Sequence, residues 1–151
     1  MSVKQRYFIE LAYKGTAYHG WQIQKNAISV QEVLNKALST VLRQNIETIG
    51  CGRTDTGVHA TQLYAHFDID DAELFNSETG SQKSNGSQIS NPELRTPTSE
   101  LSSNFKLLKS VNALLPYDIA VKRFIAVAED AHARFDATLR SYEYHVHIKK
   151  D

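Results

Sequence analysis

The hydrophobic residues change their spacing along the chain in a fixed order, and this order is the strongest constraint on the fold. Residues 6–14 and 61–70 alternate apolar and polar side chains, as a strand with one buried face does. Residues 29–44 carry apolar side chains at helical spacing. Ser29 followed by Glu32 forms a capping box, so this helix is predicted to begin at Val30.

The same succession continues in the second half of the chain. A short strand is predicted at about 46–51, a helix at 104–116, a strand at 118–127 and an extra alternating strand at 139–148. The order β-α-β-β-α-β predicts an α+β fold of the ferredoxin-like type, an antiparallel sheet with two helices on one face. The extra C-terminal strand would follow this unit.

Residues 76–104 interrupt the pattern with eight serines and four asparagines. Because such a composition buries little apolar surface, we predict a disordered, acidic, Ser/Asn-rich loop at about 72–104. The formal net charge of the chain is zero, but residues 61–104 carry seven acidic and two basic residues. The remainder has 15 basic and 10 acidic residues, which is compatible with an RNA partner.

The composition also limits the class of protein. No apolar run reaches the roughly 18 residues of a membrane helix, and the N-terminus has no signal-peptide pattern. Cys51 is the only cysteine, so no internal disulfide is possible. We expect a cytoplasmic protein that does not bind membranes.

The stretch GCGRTDTGVHA, residues 50–60, joins the second and third predicted strands. Asp55 is suited to act as a general base or a nucleophile, and Arg53 to hold an anion such as phosphate. Gly52 and Gly57 favour a loop that a bulky ligand approaches closely. The alternative is a tight turn with a surface ion pair, because Gly-flanked Asp is common in turns.

Five ordered segments resemble the TruA-type tRNA pseudouridine synthases. GRTDTGVHA is similar to that family's G-R-T-D-A-G-V-H motif, and AYKGTAYHGWQIQ (12–24) to its Y-D-G-x-x-Y-x-G-W-Q motif. SVQEVLNKAL (29–38), VNALLPYDIAV (111–121) and HARFDATLRSYEYHV (132–146) resemble further blocks in the same order. Lys14 and Thr56 depart from the family pattern, at positions to which we assign no chemistry.

The resemblance implies roles for individual residues. Asp55 falls on the catalytic aspartate, Arg53 on the arginine that helps to hold a flipped-out nucleotide, and Tyr142 on the tyrosine that stacks against the uracil. We also take Arg140 and His59, which lie in the same motifs, as candidates for substrate binding. The family isomerises uridines at positions 38–40 of the tRNA anticodon arm, works as a homodimer and uses no metal or organic cofactor.

The resemblance further implies an active-site cleft between two similarly folded halves. We therefore expect residues 1–151 to be the N-terminal catalytic half, to lack the C-terminal half and to be inactive alone. The alternative is a non-catalytic, ferredoxin-like RNA-binding module, although no RNA-recognition aromatic motif is present.

Two further sets of residues allow more than one interpretation. Trp21 is either an RNA-stacking surface or a loop aromatic packed on the sheet. The histidines at 59, 66, 132, 145 and 147 fit no compact ligand spacing, so no metal site is predicted.

Overall fold

A computed structural model describes residues 4–70 and 97–149 of the protein, and for residues 97–103 it describes the backbone alone. In chain order the elements are β1 (Lys4–Tyr13), a 3-10 turn (Gly15–Ala17), α1 (Val30–Leu42), β2 (Ile49–Gly50), β3 (Ala60–Asp70), α2 (Pro97–Leu114) and β4 (Ile119–Val127). None of the helices in these ranges has both the length and the apolar composition that crossing a membrane requires.

The four strands form one antiparallel sheet in the order β2-β3-β1-β4. With α1 and α2 inserted between strands, the chain follows the predicted β-α-β-β-α-β succession, and the α+β class is confirmed. β2 is a two-residue edge strand paired with β3, and β4 forms the opposite edge beside β1.

One face of the sheet forms the core with the apolar stripes of the helices. The alternating residues predicted to lie on one face of β1 and β3 are all buried there: Tyr7, Ile9, Leu11 and Tyr13 in β1, and Leu63, Ala65, Phe67 and Ile69 in β3. The Ser29 side chain accepts a hydrogen bond from the Glu32 amide at 3.2 Å, so the predicted N-cap of α1 is confirmed.

The second helix begins earlier than its sequence pattern indicates. α2 starts at Pro97, so the last residues of the loop predicted at 72–104 are helical; residues 71–96 of that loop lie outside the described residues. Proline is favoured in a first helical turn, where its missing N–H has no intrahelical partner to lose. Leu107 is buried against the sheet, whereas Phe105, on the same helix, is exposed.

The extra strand predicted at 139–148 is not formed. After β4, the chain folds over the outer face of the sheet, where the Ala133 amide donates to His66 Nδ1 at 3.0 Å. Residues 137–149 then continue without regular secondary structure, and 139–149 are exposed. Alternation identifies the apolar face of a segment, but a strand also needs a neighbouring backbone for its amides and carbonyls. Within the described residues this segment has no such neighbour.

Candidate active site

The loop of residues 51–59 joins β2 to β3 at one end of the sheet, as the sequence predicts. Its first residue continues the ladder between these strands, because the Cys51 amide donates to the Tyr64 carbonyl at 2.7 Å. The rest of the loop packs against the segment that follows β1. The loop is thus held between two neighbouring strands of the sheet.

Hydrogen bonds from the segment after β1 fix the middle of the loop. The Trp21 amide donates to the Thr54 carbonyl at 3.3 Å, and the Gly57 amide donates to the Tyr18 carbonyl at 3.2 Å. The hydroxyls of Tyr13 and Thr54 lie 2.7 Å apart and share a hydrogen bond. These contacts lie on both sides of Asp55 in the chain and fix the backbone that carries it.

Gly15 and Gly20 allow the segments to approach this closely, because a Cβ at Gly15 would lie 1.9 Å from the Val58 carbonyl oxygen. Gly20 has a φ of +77°, and a Cβ there would lie 2.2 Å from the Thr54 carbonyl oxygen. Gly57 has a φ of +80°, as expected for a position where side-chain-bearing residues are strained. Gly52 has no positive φ, and a Cβ there would lie 3.4 Å from Arg140 Nε.

The aromatic residues next to the loop belong to the core. Trp21 is 1% exposed and stacks on Tyr13 with 6.4 Å between ring centroids, which excludes an RNA-stacking role in this conformation. The buried Tyr18 hydroxyl donates to Asp118 Oδ1 at 2.7 Å. Burial, together with this carboxylate, raises the pKa of Tyr18 above its ordinary value, so the hydroxyl is a neutral donor and keeps this hydrogen bond.

Asp55 and Arg53 both have exposed side chains. The Asp55 carbonyl accepts from the Val58 amide at 3.1 Å, which closes a turn. Among residues 4–70 and 97–149, the ion pairs join other residues, and neither the carboxylate of Asp55 nor the guanidinium of Arg53 has a protein partner. The turn exists, but the described residues do not form the surface ion pair of the alternative interpretation.

His59 and Arg140 contact the backbone of the site. His59 Nδ1 accepts from the Gly15 amide at 2.8 Å, which fixes the end of the loop. Arg140 donates to the Cys51 carbonyl from Nε at 2.9 Å and from Nη2 at 2.7 Å, and Nη2 also donates to the Arg134 carbonyl at 2.9 Å. In this conformation both side chains position the loop.

Tyr142 lies on the exposed segment after Arg140, and 64% of its surface is accessible. Across the part of the chain that the structure describes, its ring stacks on no other aromatic ring and forms no hydrogen bond with the 51–59 loop. The structure therefore brings together Arg53, Asp55, His59 and Arg140 but leaves Tyr142 outside the group.

A pocket of about 110 Å³ lies beside the loop. Arg53 lines it together with Arg134, a residue that the sequence analysis did not single out. The only sequence signal for Arg134 is its position within the 132–146 block. The other lining residues are Gln22, Gln31, Thr48, Ile49, Gly50 and Gly52.

The histidines do not assemble a metal site in the described ranges. No group of three or more His, Cys, Asp or Glu side chains there is arranged to hold a metal ion. His145 Nε2 instead lies 3.2 Å from Glu143 Oε1 on the exposed segment, and His66 is buried on the outer face of the sheet.

Sequence comparison connects this geometry to known proteins. No protein-family profile matches the chain. The chain is 49% identical, over 97% of its length, to the tRNA pseudouridine synthase A of Bacteroides thetaiotaomicron. The tRNA pseudouridine synthases A of Bacteroides fragilis and Chlamydia muridarum are 47% and 39% identical, over 97% and 93% of the chain.

The chain is therefore similar to the N-terminal part of the tRNA pseudouridine synthases A.

The chain spans less than half the length of these relatives. The matched region is 44% of the B. thetaiotaomicron protein, 46% of the B. fragilis protein and 43% of the C. muridarum protein. It corresponds to the N-terminal part of tRNA pseudouridine synthase A. Residues 51–59 and 132–146 therefore occupy the part of the family fold that this chain shares.

Proposed function

We propose that the protein isomerises uridine to pseudouridine in tRNA, with Asp55 as the catalytic carboxylate. The observation that supports this best is the carboxylate itself, which is exposed and has no protein partner among the described residues, on a loop fixed at both ends. A surface aspartate with no function does not require this bracing. A catalytic carboxylate does, because a misplacement of about 1 Å can cost about 10²-fold in rate.

The reaction needs the groups that the site offers. The N1–C1′ bond of uridine breaks, the uracil rotates, and C5 bonds to C1′ while the C5 hydrogen is replaced and N1 gains a proton. Because no atom is gained and nothing is oxidised or reduced, we propose that the reaction proceeds without a cofactor. One carboxylate close to the sugar is the principal requirement, and Asp55 is the candidate.

A stacked base is out of reach of a side chain, so the target uridine must leave the helix. In our proposal, Arg53 holds the extruded nucleotide and the ring of Tyr142 stacks on the uracil. His59 and Arg140 contribute indirectly to substrate binding, because they hold the loop in place and do not themselves contact the substrate. The proposed substrate is the tRNA anticodon arm, at positions 38–40.

The site of the 151-residue chain is open on one side. Among the described residues, Tyr142 has no hydrogen bond or ring contact with the loop, and the chain spans under half of its relatives. We propose that the rest of the family fold brings Tyr142 over Asp55, that the chain is inactive without it, and that the complete enzyme is a cytoplasmic homodimer.

The test replaces the matching 146 residues of the B. thetaiotaomicron relative with this chain. We expect this chimera to form pseudouridine in the anticodon arm, measured by carbodiimide-stop primer extension, and the 151-residue chain alone to form none. Asp55→Asn should lower the rate by at least about 10²-fold and leave tRNA affinity unchanged. The matched control, Asp130→Asn, removes an exposed carboxylate from the turn after β4 and should keep full activity.

Full activity in the Asp55→Asn chimera would show that the loop is structural and that the catalytic group lies elsewhere. The non-catalytic RNA-binding module makes a different prediction. In that case the chimera binds tRNA but forms no pseudouridine, although the unmodified relative is active in the same assay.

A further inference from the structure

The pocket beside the loop has positive charge on two of its walls. Arg53 comes from the β2–β3 loop and Arg134 from the segment that follows β4. We name it the Arg53–Arg134 pocket. The two arginines are 81 positions apart in sequence, so the fold is what brings them to one cavity.

The positive charge at this pocket is not neutralised by the protein residues that the structure describes. Both side chains are exposed, and none of the ion pairs between residues 4–70 and 97–149 includes either arginine. A third guanidinium, that of Arg140, is bonded to the carbonyls of Cys51 and Arg134, which carry no net charge. The pocket is therefore an attractive site for an anion.

Two polar residues that line the pocket, Gln31 and Thr48, already have hydrogen-bond partners. Gln31 accepts from the Ile23 amide at 2.9 Å and donates to the Thr48 carbonyl at 2.6 Å. Thr48 is buried, and its hydroxyl donates to Asn35 Oδ1 at 2.7 Å. The two guanidinium groups are the charged side chains of this lining, and they suit the oxygens of a phosphate group.

The size of the pocket restricts the ligand further. Its volume of about 110 Å³ is below the roughly 300–1,000 Å³ of sites that enclose whole small molecules. The pocket fits a phosphate group, while the attached sugar and base remain outside. Because Arg53 is two residues from Asp55, a phosphate held here belongs to a nucleotide near the proposed reaction site.

We propose that the Arg53–Arg134 pocket binds a phosphate group of the RNA backbone, and that Arg134 is a tRNA-binding residue. This inference rests on the proposed function, because it takes tRNA as the ligand. Free phosphate has the same chemistry, and the experiment separates the two sources.

Arg134→Gln tests the guanidinium without disturbing the fold. The structural hydrogen bonds of Arg134 are formed by its backbone: the amide donates to His132 Nδ1 at 3.2 Å and the carbonyl accepts from Arg140. The side chain is exposed. Lys109→Gln is the matched control, since it removes one exposed positive charge from α2, which packs against β4 at the edge of the sheet opposite β2.

The measurement is the affinity of the chimera for tRNA between 50 and 200 mM KCl. We expect Arg134→Gln to weaken binding several-fold and to lower the slope of log K against log salt by about 1, the value for one lost phosphate contact. Arg134→Lys should keep the slope and lose part of the affinity, because it retains the charge without the planar fork. Lys109→Gln should change neither quantity.

An Arg134→Gln protein with the affinity and slope of the unsubstituted chimera would overturn the inference. A second arm titrates inorganic phosphate into the 151-residue chain and follows the amides of Gly50 and Gly52 by NMR. If these amides shift with phosphate, and lose the shift in Arg134→Gln, while tRNA binding is unaffected, the site holds free phosphate and the assignment to RNA is wrong. The two proposals fail in different measurements. The proposed function fails if the chimera forms no pseudouridine or if Asp55→Asn stays active, whereas the phosphate site fails on tRNA affinity and its salt dependence.

Discussion

At the scale of single residues, His66 links the sheet to the segment that carries Arg134. His66 is 2% exposed, and its Nδ1 accepts from the Ala133 amide at 3.0 Å. Its ring meets that of His132 edge-on, with 4.5 Å between centroids. A neutral imidazole is needed here, because a protonated Nδ1 no longer accepts a hydrogen bond.

The protonation of His66 predicts a pH-dependent stability. Burial, followed by the charges of Arg6 and His132, lowers the pKa of His66 to about 4, against the opposing effect of Asp68. The unfolded chain binds this proton below about pH 6.5 and the folded chain only below about 4. The contribution of neutral His66 is therefore complete above pH 6.5 and is lost as the pH falls from 6.5 towards 4.

The measurement is the free energy of unfolding in urea at pH 7.5 and pH 5, for the wild type and for His66→Asn. The Asn amide oxygen can accept from Ala133 but does not titrate in this range. We expect the wild type to lose about 2 kcal/mol more than His66→Asn between these pH values. The lowered pKa of Glu10 affects both proteins alike, and that of Asp68 is due first to its hydrogen bond with Arg6, which both proteins keep. Equal losses would mean that His66 titrates normally in the folded chain.

At the scale of elements, the start of α1 holds the segment that braces the site. Ser29 is fully buried and caps the helix through the Glu32 amide. In the same turn the Gln31 amide donates to the Trp21 carbonyl at 3.0 Å. Loss of the cap thus affects the helix and the segment next to the loop together.

We expect Ser29→Ala to lower the free energy of unfolding by about 1 kcal/mol, the usual cost of an unsatisfied N-cap. Thr40→Ala is the control within the same helix. Thr40 is exposed and bonds the Lys36 carbonyl at 2.8 Å, and its replacement by the better helix former should be neutral or slightly stabilising. Urea unfolding of the 151-residue chain measures both, and equal effects would contradict the assignment of Ser29 as a cap.

Most of the helices and strands could be predicted from the sequence. Alternation and helical spacing place β1, α1, β3 and β4 within two residues of their observed bounds, because these patterns reflect which face meets the core. They miss the start of α2 at Pro97, since the Ser/Asn-rich composition outweighs a single proline.

The candidate site, too, could be predicted only in part from the sequence. The motif locates Arg53 and Asp55. The hydrogen bond from Arg140 to the Cys51 carbonyl joins residues 89 positions apart, and local sequence spacing does not predict such a contact. The burial of Trp21 is likewise a tertiary property. Arg134 escapes notice because an isolated arginine carries no local signal.

At the scale of the whole molecule, the segment after Arg140 carries alternating apolar side chains that no described part of the chain covers. Tyr142, Tyr144, Val146 and Ile148 alternate with polar residues and are all largely exposed. A strand-like pattern of this kind is stable only when another surface covers it. In our proposal, the part of the relatives that lies beyond the matched region covers these side chains.

A pair of neighbouring substitutions tests this arrangement. Val146 is 79% exposed and belongs to the apolar set of the alternating sequence, while its exposed neighbour His147 belongs to the polar set. In the 151-residue chain, Val146→Lys and His147→Lys should each change the free energy of unfolding by less than about 0.5 kcal/mol, as exposed positions do. In the chimera, Val146→Lys should cost at least about 2 kcal/mol, because it would bury a charge in place of an apolar side chain, and His147→Lys should remain neutral.

Hydrogen exchange provides the second readout for the same pair of proteins. The amides of residues 141–148 should exchange freely in the 151-residue chain and become protected in the chimera, since pairing removes them from water. If Val146→Lys costs the same small amount in both proteins and these amides stay unprotected, the segment is a surface tail. Tyr142 would then have no means of reaching Asp55, and the uracil-stacking role assigned to it would have to pass to another residue.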